Sequence, residues 1–323
     1  MNTSALLVLS ASLACMITDA PAQGLGSSRR SISYHAVDVQ GIDIFYREAG
    51  PANAPTVLLL HGFPSSSRMW EPLLPLLADK YHLIAPDYPG FGNSSAPSPS
   101  SFEYTFDNLA RVMGELTTKL GITNYVLFMQ DYGAPVGFRM ALSRPERVRA
   151  IIIQNAVSHE QGLSPLWEAC RKYWADPVRE LENLKANFTS LEATRQRHIG
   201  SSPHPDRYDP DTWIDEYAFL TRPGQADIQA TLFLDYRTNV TSYPLWQKWL
   251  REVGGKCWWS GENTILPLAW PGRQPMPTMR REQKSTSWMR DISHSTKRLT
   301  RSQCSSATSL NVWITKEDKG YSF

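Results

Sequence analysis

The chain contains the stretch Tyr125-Val126-Leu127-Phe128-Met129-Gln130-Asp131-Tyr132-Gly133-Ala134-Pro135-Val136-Gly137. An apolar run rich in strand formers ends in the polar pair Gln130 and Asp131, and small residues then lead into a helical pattern over 138–142. This order predicts a strand, a sharp turn and a helix, with the carboxylate of Asp131 at the tip of the turn. It is the layout of a nucleophile elbow, in which a strained turn lifts one reactive side chain clear of a sheet.

Composition limits the classes of protein to consider. The chain has 323 residues, of which 41% are hydrophobic and 20% charged, with a formal net charge of +2. These values predict one large domain, or one domain with an insertion, and give no reason to expect nucleic acid or an acidic membrane as a partner. No stretch after the N-terminus reaches the ~18 apolar residues of a membrane span. The cysteines lack metal-ligand spacing, so we expect neither a structural zinc site nor a disulfide scaffold (Cys15, Cys170, Cys257 and Cys304).

The N-terminus has features of a targeting segment. Residues 5–17 are small and apolar, and Ala20-Pro21-Ala22 resembles a signal-peptidase site, which predicts a signal peptide over 1–22 and a linker over 23–31. The first four residues include no Lys or Arg, so a start that is not a signal peptide stays open. We expect a secreted or periplasmic protein if the signal is real, and a cytoplasmic one otherwise.

Strands and helices alternate over 32–157, the predicted core domain. A hairpin is expected around Gln40 and Gly41, and short apolar runs predict buried parallel strands. The expected strands are Ile32–Val39, 42–46, Thr56–Leu60, 81–85, 125–129 and 148–153, and helices are expected over 70–77 and 106–120. The alternation predicts an α/β fold with a mostly parallel, doubly wound sheet. His61, Asp87 and Asp131 would then lie beyond the carboxyl ends of strands, where reactive groups gather.

The pattern changes after residue 157. Residues 158–241 are helical, irregular and dense in aromatic side chains, which predicts a helical cap inserted into the core domain, and 242–252 predicts a helix that returns to the core. The sheet should then resume, but 253–323 contains no apolar run of strand length. We therefore expect an aberrant tail without regular structure, and a sheet that has lost its last strands and closing helix.

Four motifs in order carry a resemblance to a known family. They are His61-Gly62-Phe63-Pro64, the run from Asp87 to Ser94, the run from Gln130 to Ala134, and the run from Leu232 to Arg237. Residues 32 to about 252 resemble the α/β-hydrolase superfamily, in particular its epoxide hydrolase and haloalkane dehalogenase branch. The resemblance implies an α/β-hydrolase fold with a cap, a small-molecule substrate, and no metal or other cofactor. It also implies an Asp nucleophile, an acid after the seventh strand and a His base after the eighth.

The acid and the base are missing from those positions. His159, His198 and His204 lie outside the family's position, His294 follows no strand, and no general base can be assigned. Back-translation offers an explanation. When residues 256–268 are back-translated and each codon is begun at the third base of the preceding residue, the bases can spell Lys-Met-Leu-Val-Val-Trp-Gly-Lys-Tyr-Asp-Pro-Ser-Phe. This shifted sequence has the pattern of a strand followed by the family's acid turn. The same shift over 284–297 can spell the Gly-His-Phe setting of the base. We interpret the sequence after about residue 252 as frame-shifted, with a genuine divergent tail as the alternative.

The resemblance assigns further roles near the elbow. It implies that the backbone N–H groups of Phe63 and Tyr132 stabilise the oxyanion formed during ester hydrolysis, and that His61, Gly62 and Pro64 support this loop. In epoxide hydrolases, cap tyrosines donate to the epoxide oxygen, which makes Tyr236 a candidate acid and Tyr173 a second one. The plainer interpretations are a helix-capping Asp131, a structural His61, and tyrosines that only pack.

Residue types at two positions separate the members of the branch. Haloalkane dehalogenases typically have Asn after His-Gly and Trp after the nucleophile, whereas this chain has Phe63 and Tyr132. Fluoroacetate dehalogenases carry Arg where Tyr132 stands. We therefore expect an epoxide hydrolase-like enzyme that acts on small apolar substrates and is inactive if the base is lost. The alternatives are a haloalkane dehalogenase, a non-catalytic protein that binds an apolar ligand in its cap, and a chain that does not fold.

Overall fold

A computed structural model describes residues 31–163, 165 and 167–252, and the backbone of 257–260. Seven strands in these ranges form one sheet in the order β1-β2-β4-β3-β5-β6-β7. The strands are β1 Ile32–Val39, β2 Ile42–Ala49, β3 Thr56–Leu60, β4 His82–Pro86, β5 Tyr125–Gln130, β6 Val148–Gln154 and β7 Cys257–Ser260. The first three strands in this order pair antiparallel, and the strands from β4 to β7 pair parallel. The predicted α/β fold with a mostly parallel sheet is confirmed.

The predicted hairpin is present at the start of the sheet. Val39 pairs with Ile42 across a two-residue turn, and Gln40 and Gly41 have φ values of 56° and 82°. Positive φ at both central residues is the geometry whose twist matches that of the flanking strands. The turn therefore fixes the register of β1 on β2.

Helices cover both faces of the sheet. The core helices are α1 Leu74–Leu77, α2 Phe106–Lys119 and α3 Gly133–Ser143, with 3₁₀ turns at Ser67–Trp70 and Pro145–Arg147. A buried hydrophobic cluster lies on each face of the sheet, and alternate residues of β3 belong to different clusters. Leu58 and Leu60 pack in the cluster with α2 and α3, while Val57 and Leu59 pack in the cluster with α1. Burial on both faces explains why the strand reads as an unbroken apolar run.

One expected helix is divided in the structure. The pattern over 70–77 predicted a continuous helix, but the structure has a 3₁₀ turn that ends at Trp70 and a short helix that begins at Leu74. Pro72 lies between them and has no backbone N–H to continue a helical ladder. Trp70 and Leu74 are nevertheless both buried, so the apolar spacing predicted the buried residues correctly, although it did not predict that the helix is interrupted.

The cap is helical, as predicted, and lies between β6 and β7 in the chain. Its elements are a 3₁₀ turn Glu160–Gly162, α4 Trp167–Ala175, α5 Pro177–Thr189, α6 Leu191–Ile199, a 3₁₀ turn Pro205–Arg207, α7 Asp211–Leu220 and α8 Gln225–Glu252. The predicted boundary between cap and return helix, at 241/242, falls inside α8. α8 continues through Pro244, and the flanking Tyr243 and Trp246 are both buried at 1% exposure.

A strand occurs within the segment expected to lack one. β7 pairs parallel with β6 from Ile151 opposite Cys257 to Gln154 opposite Ser260. The prediction of a tail without regular structure over 253–323 is therefore wrong for these four residues. Backbone groups at the edge of β6 can pair with any extended segment, and Cys-Trp-Trp suits a strand even without an apolar run.

Several expectations concern residues outside the described ranges. These are the signal peptide over 1–22, the linker up to residue 30, and the frame-shifted sequence after residue 260. Within the described ranges, every helix is too short or too polar to cross a membrane.

Candidate active site

Asp131 occupies the tip of the turn between β5 and α3. Its φ is +49°, a left-handed value that non-glycine residues rarely adopt and that marks local strain. The turn is tight because two glycines let α3 approach the sheet. A Cβ atom on Gly133 would lie 2.4 Å from the carbonyl oxygen of Leu60, and one on Gly137 would lie 2.1 Å from Sδ of Met129. The elbow geometry predicted from the sequence is present.

The Asp131 carboxylate is held by the loop after β3. The backbone N–H of Phe63 donates to Oδ1 of Asp131 over 2.8 Å. Gly62 makes this approach possible, since a Cβ atom there would lie 2.4 Å from Cβ of Asp131. Pro64 follows Phe63 and is buried. Helix α3 begins at Gly133 without a side-chain cap, so Asp131 is oriented by the loop and does not serve as the helix cap considered as an alternative.

Burial dominates the electrostatics of Asp131. Loss of water raises the pKa of the Asp131 carboxyl above its usual value, while the N–H groups of Phe63 and Tyr132 and the charge of Arg197 act in the opposite direction. Both amide groups thus stabilise negative charge on Asp131. This is the behaviour expected of the two residues predicted to form an oxyanion hole.

His61 is a structural residue. It is fully buried, its ring stacks on Tyr88 with centroids 4.2 Å apart, and burial lowers its pKa. The neutral ring has one N–H and one acceptor nitrogen: Nδ1 donates to the carbonyl of Gly62 over 3.1 Å, and Nε2 accepts from the backbone N–H of Tyr88 over 3.4 Å. His61 therefore fixes the loop after β3.

Asp87, at the same edge of the sheet, also organises a loop. Its carboxylate accepts from the backbone N–H groups of Ser67 over 2.6 Å and Asn93 over 2.8 Å. Its burial is complete, and both oxygens are used by the backbone. Asp87 thus ties two loops together beside the elbow, and Asp131 is the carboxylate that remains for chemistry.

Aromatic rings surround the elbow on its cap side. The ring centroid of Tyr132 lies 5.7 Å from that of Phe63, 6.0 Å from that of Phe233 and 5.8 Å from that of Tyr236. The Tyr132 hydroxyl is buried and has no hydrogen-bond partner in the described part of the chain. The surroundings of the elbow on this side are therefore aromatic, and they include one unsatisfied hydroxyl.

Tyr236 lies in the group of aromatic rings around Tyr132, the residue that follows Asp131. Tyr236 lies on α8 with 5% exposure, and its ring packs against Trp167 with centroids 4.2 Å apart. Burial raises the pKa of Tyr236 well above its usual value, and the neighbouring Tyr243 and then the negative charge of Asp131 add to the rise. The Tyr236 hydroxyl therefore keeps its proton at neutral pH, as a proton donor must.

Tyr173 is placed differently. It lies on α4 and is buried, but the charges that act on its pKa, after burial itself, are those of Lys185 and Asp227. These two residues form an ion pair of 2.8 Å between α5 and α8. The structure thus groups Tyr173 with that pair and does not bring it to Asp131.

The described histidines do not provide a base. His198 pairs with Glu216 over 2.8 Å, and His159 lies 3.2 Å from the hydroxyl of Ser158. His204 precedes the 3₁₀ turn at Pro205–Arg207. Across the described ranges no histidine is hydrogen-bonded to Asp131, and no cluster of three His, Cys, Asp or Glu residues could hold a metal. The positions at which the family's acid and base are expected lie beyond the described core and cap.

Two residues of the site were not identified from the sequence. Asp235 belongs to the quoted Leu232–Arg237 motif, and its Oδ2 accepts from the backbone N–H of Phe106 over 2.7 Å at the start of α2. This bond fixes α8, and with it Tyr236, on the core. Arg197 on α6 lies over the Phe63 ring at 4.9 Å, and its position depends on a tertiary contact that no motif announces.

Comparisons with known proteins agree with the fold. A family model described as alpha/beta hydrolase fold matches residues 55–219. An uncharacterized hydrolase of Saccharomyces cerevisiae is 39% identical over 244 residues, which cover 73% of this chain and 83% of the yeast protein. A haloalkane dehalogenase of Bradyrhizobium diazoefficiens is 38% identical over 126 residues, which cover 39% of this chain but only 40% of that enzyme.

A solved structure shares the architecture at low sequence identity. The epoxide hydrolase CorEH, solved without ligand, superposes with a TM-score of 0.54 and 20% identity, over 65% of this chain and 76% of CorEH. At this identity the likeness concerns the fold alone. The relatives matched by sequence thus include a haloalkane dehalogenase, and CorEH is a likeness of fold.

Proposed function

The chain belongs to the α/β-hydrolase fold family, and we propose that it opens epoxides through an alkyl-enzyme ester formed on Asp131. The observation that carries this proposal is the way in which the Asp131 carboxylate is held. Oδ1 accepts the N–H of Phe63 over 2.8 Å, whereas no side chain in the described ranges is found to donate to either oxygen of this carboxylate. Oδ1 is thus held for the oxyanion hole, and we assign the attack to Oδ2.

The first step forms one bond and breaks one. Oδ2 of Asp131 attacks an epoxide carbon, the carbon–oxygen bond of the epoxide breaks, and its electron pair stays on the departing oxygen. The hydroxyl of Tyr236 donates its proton to that oxygen, which leaves a hydroxyalkyl ester and a tyrosinate. The raised pKa of Tyr236 makes the tyrosinate a strong base that regains a proton as the cycle closes.

The second step hydrolyses the ester. Water adds to the carboxyl carbon of Asp131 and loses a proton to a base, and the negative charge that develops on Oδ1 meets the N–H groups of Phe63 and Tyr132. Collapse of this intermediate releases a diol that carries Oδ2, while the oxygen from water remains in Asp131. The family's base for this step is missing from this chain, because the segment that would supply it is interpreted as frame-shifted. Sequencing the transcript around codon 252 tests that interpretation.

Haloalkane dehalogenation is the second candidate. Its support is the identity to the Bradyrhizobium enzyme and the buried, unpartnered hydroxyl of Tyr132 beside Asp131, which could donate to a departing halide. The same attack by Oδ2 would then break a carbon–halogen bond. Tyr236 would have no role as a proton donor in this reaction, because a halide departs without forming an alkoxide.

The test is covalent labelling of the full chain. Styrene oxide and 1-bromobutane are incubated separately with wild type, Asp131→Asn and Tyr236→Phe, and modified peptides are identified by mass spectrometry. We expect styrene oxide to modify Asp131 in wild type, no modification at residue 131 in Asp131→Asn, and labelling slowed about 100-fold in Tyr236→Phe. Faster labelling by 1-bromobutane would favour the dehalogenase.

Folding and turnover need their own controls. Circular dichroism establishes that each variant is folded, and a folded wild type that neither reagent labels contradicts the proposal and favours a binding protein. If diol is released, a single turnover in heavy-oxygen water should place the heavy oxygen in Asp131. Heavy oxygen found in the diol on the first turnover would instead indicate direct attack by water.

A further inference from the structure

A cation lies among the aromatic rings near the elbow. The guanidinium of Arg197 reaches from α6 over the Phe63 ring at 4.9 Å and the Phe188 ring at 5.6 Å. Its Nη2 donates to the carbonyl of Phe188 over 2.8 Å. Two ring contacts and one hydrogen bond hold the plane of the group in a fixed orientation.

Arg197 has no carboxylate partner of its own. Among the described residues it forms no salt bridge with any Asp or Glu, and the neighbouring Glu216 is paired with His198. Partial loss of water lowers the pKa of Arg197, and the charge of Asp131 is the largest one that raises it. A substantial fraction of the residue is nevertheless exposed. Arg197 is therefore a preorganised, solvent-accessible cation within electrostatic reach of the nucleophile.

A guanidinium carries five N–H donors in a planar fork, and the carbonyl of Phe188 accepts from one of its nitrogens. The fork matches the two oxygens of a carboxylate, and such bidentate pairs are stronger than neutral hydrogen bonds. The aromatic walls exclude water from one side, which strengthens any ion pair formed there.

We propose that Arg197 binds a carboxylate of the substrate, so that the natural substrate is a 2,3-epoxy acid and not a neutral epoxide. This inference rests on the proposed function of Asp131. The carboxylate would lie against Arg197 and Phe63 with the adjacent epoxide carbon toward Oδ2 of Asp131. It corrects the expectation of small apolar substrates, because it adds an anionic group to an otherwise apolar ligand.

Binding without reaction tests Arg197 alone. Isothermal titration calorimetry compares phenylacetate with phenylacetamide, a neutral probe of similar shape, in wild type, Arg197→Gln and Arg195→Gln. Arg195 is the matched control, since it lies on the same helix and pairs on the surface with Glu192 over 3.4 Å. We expect wild type and Arg195→Gln to prefer phenylacetate, and Arg197→Gln to lose about 10-fold or more of that affinity with little change for the amide.

Two outcomes of the titrations would contradict binding of a carboxylate by Arg197. Equal phenylacetate affinity in wild type and Arg197→Gln, or no preference for phenylacetate over the amide in wild type, overturns the proposal. If Arg197→Gln does not fold, Arg197→Lys serves, because it keeps the charge without the planar fork. We expect it to keep part of the preference, and an unchanged preference would contradict bidentate binding.

Labelling separates this inference from the proposed function. Asp131 of wild type should be alkylated faster by 3-phenylglycidate than by 3-phenylglycidamide, and Arg197→Gln should abolish the difference. Arg197-dependent binding of phenylacetate without any labelling of Asp131 would contradict the proposed function only. Labelling by both reagents at rates that Arg197→Gln does not change would contradict the role of Arg197 only.

Discussion

Replacing Gly62 with Ala should damage the site without touching a charged group. The new Cβ would lie 2.2 Å from Oε1 of Gln130 and 2.4 Å from Cβ of Asp131. The Gln130 amide is the end of a flexible side chain and can swing away. Asp131 cannot, because its backbone is fixed at a left-handed φ of +49° by the turn into α3. Ordinary contact begins near 3.4 Å, so the loop and the elbow must separate by about 1 Å.

That separation removes the hydrogen bond from Phe63 to Asp131. A distance of 2.8 Å that grows by about 1 Å leaves hydrogen-bonding range. Loss of one oxyanion donor slows ester hydrolysis about 100- to 1,000-fold, and a displacement of this size slows nucleophilic attack to a similar extent. Overpacking should also destabilise the fold by about 1–3 kcal/mol. The assays are the rate of Asp131 labelling by styrene oxide and urea unfolding.

A matched glycine provides the control. Gly114 lies inside α2, where a Cβ atom would meet nothing within 4 Å. Gly114→Ala should therefore stabilise the protein by about 0.5–1 kcal/mol through helix propensity and leave labelling unchanged. Wild-type labelling and unchanged stability in Gly62→Ala would refute the reasoning, because they would mean that the loop and the elbow can part freely.

Three further substitutions test the electrostatics and the attachment of the cap. Because burial raises the pKa of Asp131, its ionised form destabilises the fold at neutral pH. Asp131→Asn should therefore raise Tm by about 2–4 °C at pH 8, as measured by scanning calorimetry. This gain should shrink as pH falls through the raised pKa of Asp131. Burial lowers the pKa of His61, so wild type loses stability as pH falls below about 6.5 and the buried ring must be protonated. The urea midpoint of His61→Gln should therefore fall less than that of wild type over this pH range. Asp235→Ala removes the acceptor for the Phe106 N–H and should cost about 1–2 kcal/mol in urea unfolding, with most of it restored in Asp235→Asn. A variant as stable as wild type would contradict the role of Asp235.

The core was predictable because its signals are local. Strands buried on both faces appear as short apolar runs, so Thr56–Leu60 was placed at its observed limits. The order of strand, polar pair and small residues likewise located Asp131 at a strained turn. Chain topology then brings the ends of these strands to one edge of the sheet, which is why the contact between the loop at Phe63 and Asp131 could be expected.

The cap was less predictable because its contacts are tertiary. Arg197 is one of several charged residues on α6, and only the approach of α6 to Phe63 distinguishes it from Arg195. The motif over Leu232–Arg237 favoured Tyr236 over Tyr173 as the cap acid, but only helix packing shows that Asp131 affects the pKa of Tyr236 and not that of Tyr173. The strand at Cys257–Ser260 depends on a free edge of β6, which is a property of the sheet and not of the four residues.

The continuity of α8 limits how the cap can move. At its beginning, Gln229 donates to the carbonyl of Gly90 over 3.4 Å, and near its middle Asn239 accepts from Arg139 over 2.7 Å. Toward its end, Trp246 stacks on Phe138 with centroids 4.8 Å apart. A helix attached to the core at three levels cannot act as a hinge. Under the proposed function, substrate access and product release would come from displacement of α4–α7, which carry Arg197, while Tyr236 on α8 would keep its position relative to Asp131.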